Sequence, residues 1–323
     1  MSFAWIREPG KESRVFSLFE SPVGDFYFSQ FDGRLIQLLI TDIILKNCSK
    51  WVSEKLISNA LPNIYPKDSH NYDDFLQVVS QASEVCSNGV LEKVVLSRTK
   101  AHKLTSVSPT NVFERLCREY PLATIYLISI DGNSLWMGAT PECLLELNGK
   151  HLKTMSLAAT RPVNSEGRWG IKEREEQHLV TRDIVHMLDA LGCKKISVDG
   201  PKILTAGPVE HLCSSIEAVR PMGAAITMIK SLHPTPAVGG LPRAQSMAFI
   251  LQHENYNRSF YSGYFGWNND ERSIFYVNLR CMEIGRDGLI CYAGAGITSK
   301  SNAKDEWVET EEKLKTLERV IVG

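Results

Sequence analysis

The 323-residue chain lacks an apolar run long enough to cross a bilayer. A helical span needs about 18 uninterrupted apolar residues, and the best candidate, Leu35 to Leu45, is broken by Gln37, Thr41 and Asp42. The first residues, Met1 to Pro9, show no basic start followed by an apolar stretch, so they do not read as a secretory signal and the expected location is cytoplasmic. An excess of either charge is missing too: 36 Lys+Arg stand against 37 Asp+Glu, for a formal net charge of -1. That excludes a protein whose main work is to neutralise a nucleic-acid backbone or to cling to an anionic membrane. The eight cysteines (Cys48, Cys86, Cys117, Cys143, Cys193, Cys213, Cys281 and Cys291) are scattered with no C-x-x-C pair, which suggests neither a zinc knuckle nor a disulfide framework. No low-complexity tract, linker or fixed-period repeat marks a domain boundary, so one domain is expected over residues 1–323.

What is present is a mixed pattern. Helical periodicity marks Tyr72 to Cys86, Pro109 to Tyr120, Glu173 to Leu191 with Gly192 as a C-terminal cap, Met222 to Leu232, and Ala303 to Val320. Strands are expected at Lys93–Arg98, Thr124–Ile130, Ser134–Gly138, Cys143–Leu147, His151–Leu157, Ser273–Met282 and Leu289–Ala293. Asn148-Gly149 is a hairpin signal, and Arg286-Asp287-Gly288 joins a second pair. Strands that come as hairpins instead of alternating singly with helices point to an α+β fold with antiparallel sheets.

Acidic residues gather on two of the predicted helices. On the last one, positions i, i+3 and i+7 share a face, so Glu306, Glu309 and Lys313 point together. On pattern alone this is a solvated charged face, since acidic residues favour a helix start. A second acidic helix opens with Lys172-Glu173-Arg174-Glu175-Glu176-Gln177-His178. Carboxylates from two helices suffice for Mg²⁺, which usually takes one or two and fills its octahedron with water and substrate oxygens. Other motifs fall away. Gly294-Ala295-Gly296 has Ser299 where a dinucleotide fingerprint needs its third glycine, and no βαβ context. His253-Glu254-Asn255-Tyr256-Asn257 lacks the second histidine of a zinc site and reads as a helix end. The sequons at Asn47 and Asn257 carry no weight without a secretory signal.

Taken in order, Lys93-Val94-Val95-Leu96-Ser97-Arg98, Pro141-Glu142, Leu157-Ala158-Ala159-Thr160-Arg161-Pro162, Lys172 to His178, His233-Pro234-Thr235-Pro236, Arg280, Gly294-Ala295-Gly296-Ile297 and Glu306-Trp307-Val308-Glu309-Thr310 resemble the chorismate-utilising enzymes. Within that family the chain looks most like the isochorismate synthases of the menaquinone branch. The resemblance covers residues 88–323 and fades over a divergent N-terminal part, residues 1–87. It implies two large, mostly antiparallel sheets packed face to face and flanked by helices, with a Mg²⁺-dependent site in a cleft. By the family pattern Glu176 and Glu309 are the magnesium ligands with Glu306 beside them. Lys313 and Arg280 bind substrate carboxylate, and Thr160, His233, Tyr261, Gly294 and Gly296 line the substrate. Glycines suit that position because backbone N–H groups approach an anion closely where no side chain intrudes.

The implied reaction adds water at ring carbon 2 of chorismate and expels the hydroxyl from carbon 4. Lys93 takes the place of the base and Glu142 that of the acid. The base must be able to shed its proton and the acid must keep one, conditions that burial and neighbouring charge create. Relatives sort by substitution. Aminodeoxychorismate synthases carry a nucleophilic lysine where Ala158 stands, and anthranilate synthases usually carry glutamine at Lys93 and draw ammonia from a glutaminase, so no glutaminase subunit is expected. Salicylate synthases share Lys93 and Glu142 and remain the rival reading, since they make isochorismate and then eliminate pyruvate. A catalytically silent ligand-binding paralogue is the other. Two departures from the family pattern stand out: Ala159 occupies a position usually glycine, and the stretch from Thr160 to Glu176 is short, with Pro162-Val163-Asn164 replacing the usual Pro-Arg-Gly. The family default is a monomer.

Overall fold

The computed structural model describes residues 1–58, 61–103, 108–131, 134–163, 165–221, 223, 225–269 and 272–321. Four strands open the chain: β1 (Ser2–Arg7), β2 (Arg14–Glu20), β3 (Phe26–Ser29) and β4 (Leu35–Ile44). Helices α1 (Cys48–Ser58) and α2 (Tyr72–Ser87) follow, then β5 (Lys93–Lys103), α3 (Pro109–Glu119), β6 (Thr124–Ile130), β7 (Ser134–Thr140), β8 (Cys143–Asn148) and β9 (His151–Pro162). Next come α4 (Ile171–Ala190), β10 (Lys194–Ala206), β11 (Val209–Val219), α5 (Ala225–Leu232), β12 (Gly240–Leu241) and α6 (Arg243–His253). The chain closes with β13 (Tyr264–Asn268), β14 (Ser273–Val277), β15 (Cys281–Ile284), β16 (Gly288–Ile297) and α7 (Ala303–Ile321).

Every strand pairing is antiparallel, and the hydrogen-bonded order runs without a break as β10-β11-β9-β8-β14-β13-β3-β4-β2-β1-β6-β7-β15-β16-β5-β12. The expected two sheets are thus the halves of one ladder folded over on itself. Tyr126 of β6 meets Phe265 of β13 with ring centroids 4.3 Å apart, and Trp136 of β7 meets Phe260 at 5.7 Å, though four strands separate β6 from β13 in the order. This aromatic layer is the inner core. Helices bury the outer faces: α1, α3 and α7 cover β1, β6, β7, β15 and β16, while α4 and α5 cover β8, β9, β11, β13 and β14. Helix α2, with α6 and Trp307, packs on β5 and β16.

Local chemistry accounts for the helix ends. Asn71 caps α2 by accepting from the Asp74 N–H at 2.9 Å, Pro109 opens α3, and Gly192 with φ +79° ends α4 as its sequence promises. The two hairpin signals join β8 to β9 and β15 to β16.

The sequence pattern missed β1 to β4, β10 to β13, α1 and most of α6. The Leu35 to Leu45 run, weighed as a bilayer span, is β4. The helix expected from Met222 begins at Ala225, and Met222 itself, like Asn164, lies outside the described residues. The strand expected over Ser273–Met282 is broken: β14 pairs with β8 and β13, β15 pairs with β7 and β16, and the chain crosses between the halves at Asn278 to Arg280. A second crossing, Pro141-Glu142, takes the chain from β7 to β8. Hydrogen bonds knit the crossings together, Thr140 Oγ1 donating to Val277 O at 2.6 Å and Val277 N to Glu142 O at 3.1 Å.

Candidate active site

The crossings matter because each delivers a charged side chain to the same place. A cavity enclosing about 640 Å³ of empty space, part of it open to solvent, is lined by Glu142 and Arg280 from the two crossings. Lys93, first residue of β5, and Glu176, on α4, form another wall, and β16 supplies Gly294 and Gly296. Thr160, Tyr261, Glu309 and Lys313 complete the set, so ten of the twelve residues singled out in the sequence surround one cavity.

The other two stand elsewhere. His233 is buried beneath α5, its Nε2 3.3 Å from Phe31 O and its ring edge-on to Tyr264; burial, followed by weaker effects, pushes its pKa down to about 4. Its neighbours Ala237 and Val238 reach the cavity instead. Glu306 lies in an adjoining cleft that shares Thr160 and Glu309 with the cavity, and Lys172 holds it at 2.5 Å.

Lys93 is 1% exposed and ion-paired with Glu176 Oε1 at 3.0 Å. Burial alone would raise the Glu176 carboxyl, but the Lys93 charge and hydrogen bond, with Lys172 and Lys313 behind them, hold it below its ordinary value. A Cβ on Gly296 would press on Glu176 Oε1 and stand 2.9 Å from Lys93 Cε. The space this glycine leaves open is therefore filled by the ion pair. A Cβ on Gly294 would stand 2.9 Å from Leu96 O and 3.0 Å from Tyr261 Oη, and the Gly294 carbonyl accepts from Lys313 Nζ at 2.8 Å. Lys313 also pairs with Glu309 at 2.7 Å, one helical turn away on the face that the spacing predicted.

Glu142 behaves differently from the other carboxylates. Burial drives its pKa up to about 8 against the opposing pull of Lys93 and Lys313, so it keeps its proton at neutral pH. Desolvation, supported by the nearby Glu309 charge and resisted by Lys172, also raises Glu306.

His211 escaped the sequence analysis, because it sits on an unforeseen strand with no motif around it. It lines the cavity and takes Arg280 Nη2 at 2.8 Å on Nε2. Guanidinium has no acceptor, so His211 Nε2 must accept and Nδ1 must carry the proton, which it gives to Ala159 O at 2.9 Å. Burial first, then the charges of Arg280 and Lys313, hold this histidine neutral. Ala159 itself is in the left-handed region at φ +62°, at the bulge where β9 and β11 slip register between His211 and Leu212. Walls at Val95 and Val238 are tied together by Arg258, which donates to Val95 O at 2.7 Å and Val238 O at 2.9 Å while pairing with Glu254.

A single antiparallel ladder folded over a charged, buried cavity defines a class, and sequence comparison agrees with it. Residues 34–322 match the chorismate binding enzyme family, and the chain belongs to that family. It is similar to isochorismate synthase MenF of Escherichia coli (32% identical over 75% of this chain and 59% of that protein) and to the salicylate biosynthesis isochorismate synthase of Pseudomonas aeruginosa (31%, over 75% and 53%). Isochorismate synthase DhbC of Bacillus subtilis is 30% identical over 77% of this chain and 68% of its own. The chain thus spans only about half to two thirds of the length of these relatives. Among solved structures, MenF of Escherichia coli has a TM-score of 0.83 at 24% identity, covering 100% of this chain and 89% of that one. A putative 2,3-dihydroxybenzoate-specific isochorismate synthase from Bacillus anthracis also scores 0.83, at 20% identity over 99% and 96%. Anthranilate synthase component I from Streptococcus pneumoniae scores 0.65 at 19% over 93% and 81%. These likenesses place the fold.

Proposed function

We propose that this chain is an isochorismate synthase, an isomerase that adds water at ring carbon 2 of chorismate and releases the carbon 4 hydroxyl. The observation that carries the reading is the pair of buried groups of opposite character in one cavity: Lys93, ion-paired with Glu176, and Glu142, which burial keeps protonated. In the ion pair Lys93 carries its proton, so it acts as the base only after releasing that proton to solvent; the neutral amine then takes a proton from the incoming water, and Glu142 gives one to the departing hydroxyl, which leaves as water. Both groups end the cycle in the reversed state and exchange protons with solvent before the next. Arg280 and Lys313 form the cationic side that receives the substrate's carboxylates. Ala158 offers no nucleophile, which supports water as the attacking species.

The donor set suits magnesium. Glu176 and Glu309 present hard carboxylate oxygens to the same cavity, with Glu306 beside Glu309 in the adjoining cleft. Among the described residues no three acidic, histidine or cysteine side chains gather closely enough to hold a metal ion by themselves. Magnesium held by Glu176 and Glu309 would clamp and polarise the ring carboxylate.

The test is incubation of the purified chain with chorismate and Mg²⁺, with and without EDTA, read by chromatography and proton NMR. Isochorismate without pyruvate, abolished by EDTA, is the expected result. Salicylate and pyruvate in equal amounts would transfer the assignment to salicylate synthesis, and no turnover would make the chain a silent binding paralogue.

A further inference from the structure

Arg280 lines two cavities, and the second is unlike the first. Beyond Arg280 and Pro141, which both cavities share, lies a side pocket of about 960 Å³, counting its open mouth, walled by Tyr120, Ala139, Leu204 and Ala206. The β10–β11 hairpin forms its roof and the residues after α3 its floor. Its lining is mostly apolar, which sets it apart from the charged catalytic cavity.

The one strong cation in this lining is poorly matched by its surroundings. Arg280 is 7% exposed, and its side-chain hydrogen bonds go to two neutral groups: Thr316 Oγ1 at 3.2 Å and His211 Nε2 at 2.8 Å. Glu309 acts on its charge only from beyond ion-pair distance, and no carboxylate among the described residues pairs with it directly. A buried guanidinium without a counter-anion is costly, and its planar fork is shaped for a bidentate carboxylate. Thr316 lines the side pocket and fixes the guanidinium there.

We propose that this side pocket is a second ligand site for a small apolar monocarboxylate, whose carboxylate binds Arg280 and whose body packs against Tyr120, Leu204 and Ala206. One guanidinium serves both cavities, so the ligand and the catalytic substrate weaken each other's binding, and the pocket acts as an inhibitory site. The site goes beyond the proposed reaction and is read by binding alone, so its failure and the failure of that reaction are separate results.

Benzoate is the probe, titrated into the full chain by calorimetry, with benzyl alcohol as the uncharged control. The expected result is saturable benzoate binding, lost by at least about tenfold in Leu204→Trp, which fills the pocket, and with benzyl alcohol. Ala206→Glu, which puts a negative charge in the lining on a half-exposed hairpin residue, should do the same and serves as the second variant if the tryptophan disturbs folding. Where turnover is measurable, Leu204→Trp should keep the wild-type kcat and KM while losing inhibition by benzoate. Benzoate binding that survives both substitutions would place it in the catalytic cavity and overturn the proposal, as would the absence of binding.

Discussion

Glu142 concentrates the chemistry of the site in one protonation state. With its pKa at about 8, the acid form is present below that value and is lost above it, so kcat/KM should fall on the alkaline side of about pH 8. Glu142→Gln should cut turnover by about 10²-fold or more while leaving the protein folded, measured by product NMR and circular dichroism. The same group has a stability signature. A carboxyl whose folded value lies above its unfolded one contributes stability that is present below the unfolded value and lost as pH rises through the folded one. Between pH 4.5 and about 8 the wild type should therefore lose stability that the glutamine variant keeps. Ala159 is a different kind of residue-scale feature. Left-handed backbone costs a non-glycine residue roughly 1–2 kcal/mol, and glycine gives back about 0.4–1 kcal/mol through the freer unfolded chain. Ala159→Gly should accordingly leave unfolding free energy nearly level or slightly raised, and its readable effect should be a lower KM from the space gained at the wall. The sequence showed both residues, because Glu142 and Ala159 fall inside motifs. It did not show His211, whose role comes from a bulge that brings it against Arg280.

At the scale of elements, β16 is built around a missing side chain. Gly296 sits opposite Val95 of β5, and the space above it holds the pair formed by Lys93 from β5 and Glu176 from α4. Gly296→Ala should separate that pair, lowering kcat by orders of magnitude while the β5–β16 ladder stays intact; turnover near wild type in a folded variant would show that the pair is dispensable. Elements with a clear period were legible beforehand: α2, α3, α4 and α7 fall close to the residues the periodicity picked. Those without one were not. All six residues of β1 are buried, so no alternation betrays a strand, and β10 carries charges and a Gly-Pro break that mask its pairing. The failed expectation over Ser273–Met282 is the instructive case, because the apolar run continues through a change of partner strands. Arg280 marks the change with φ +48°, which local sequence does not announce.

Across the whole molecule, the strands of the divergent N-terminal part sit in the middle of the ladder. β3 holds β13, β1 holds β6, and together the first four strands connect the two halves that enclose the site. Removing residues 1–44 should therefore abolish cooperative unfolding, as read by calorimetry, even though the catalytic candidates lie beyond them. Glu8, buried just after β1, fastens this region to β14 through Arg272 at 2.7 Å and Tyr276 at 3.0 Å, with Arg14 and Lys11 as further partners. Burial opposes its charge, but Lys11 and Arg272 outweigh burial and lower its pKa. Its contribution is thus present above the unfolded carboxyl value and lost as pH falls through the folded one. Glu8→Gln should be less stable than wild type at neutral pH, with the gap closing in acid, as followed by the thermal midpoint.

The central place of those strands also sets an order of events during synthesis. β3 leaves the ribosome early, yet its partner β13 begins at Tyr264. At about 5–20 residues per second, the open edge waits on the order of tens of seconds. An apolar strand exposed for that long is a substrate for chaperones and for aggregation. Slowed elongation downstream of β4 should therefore lower the soluble yield without changing the finished fold.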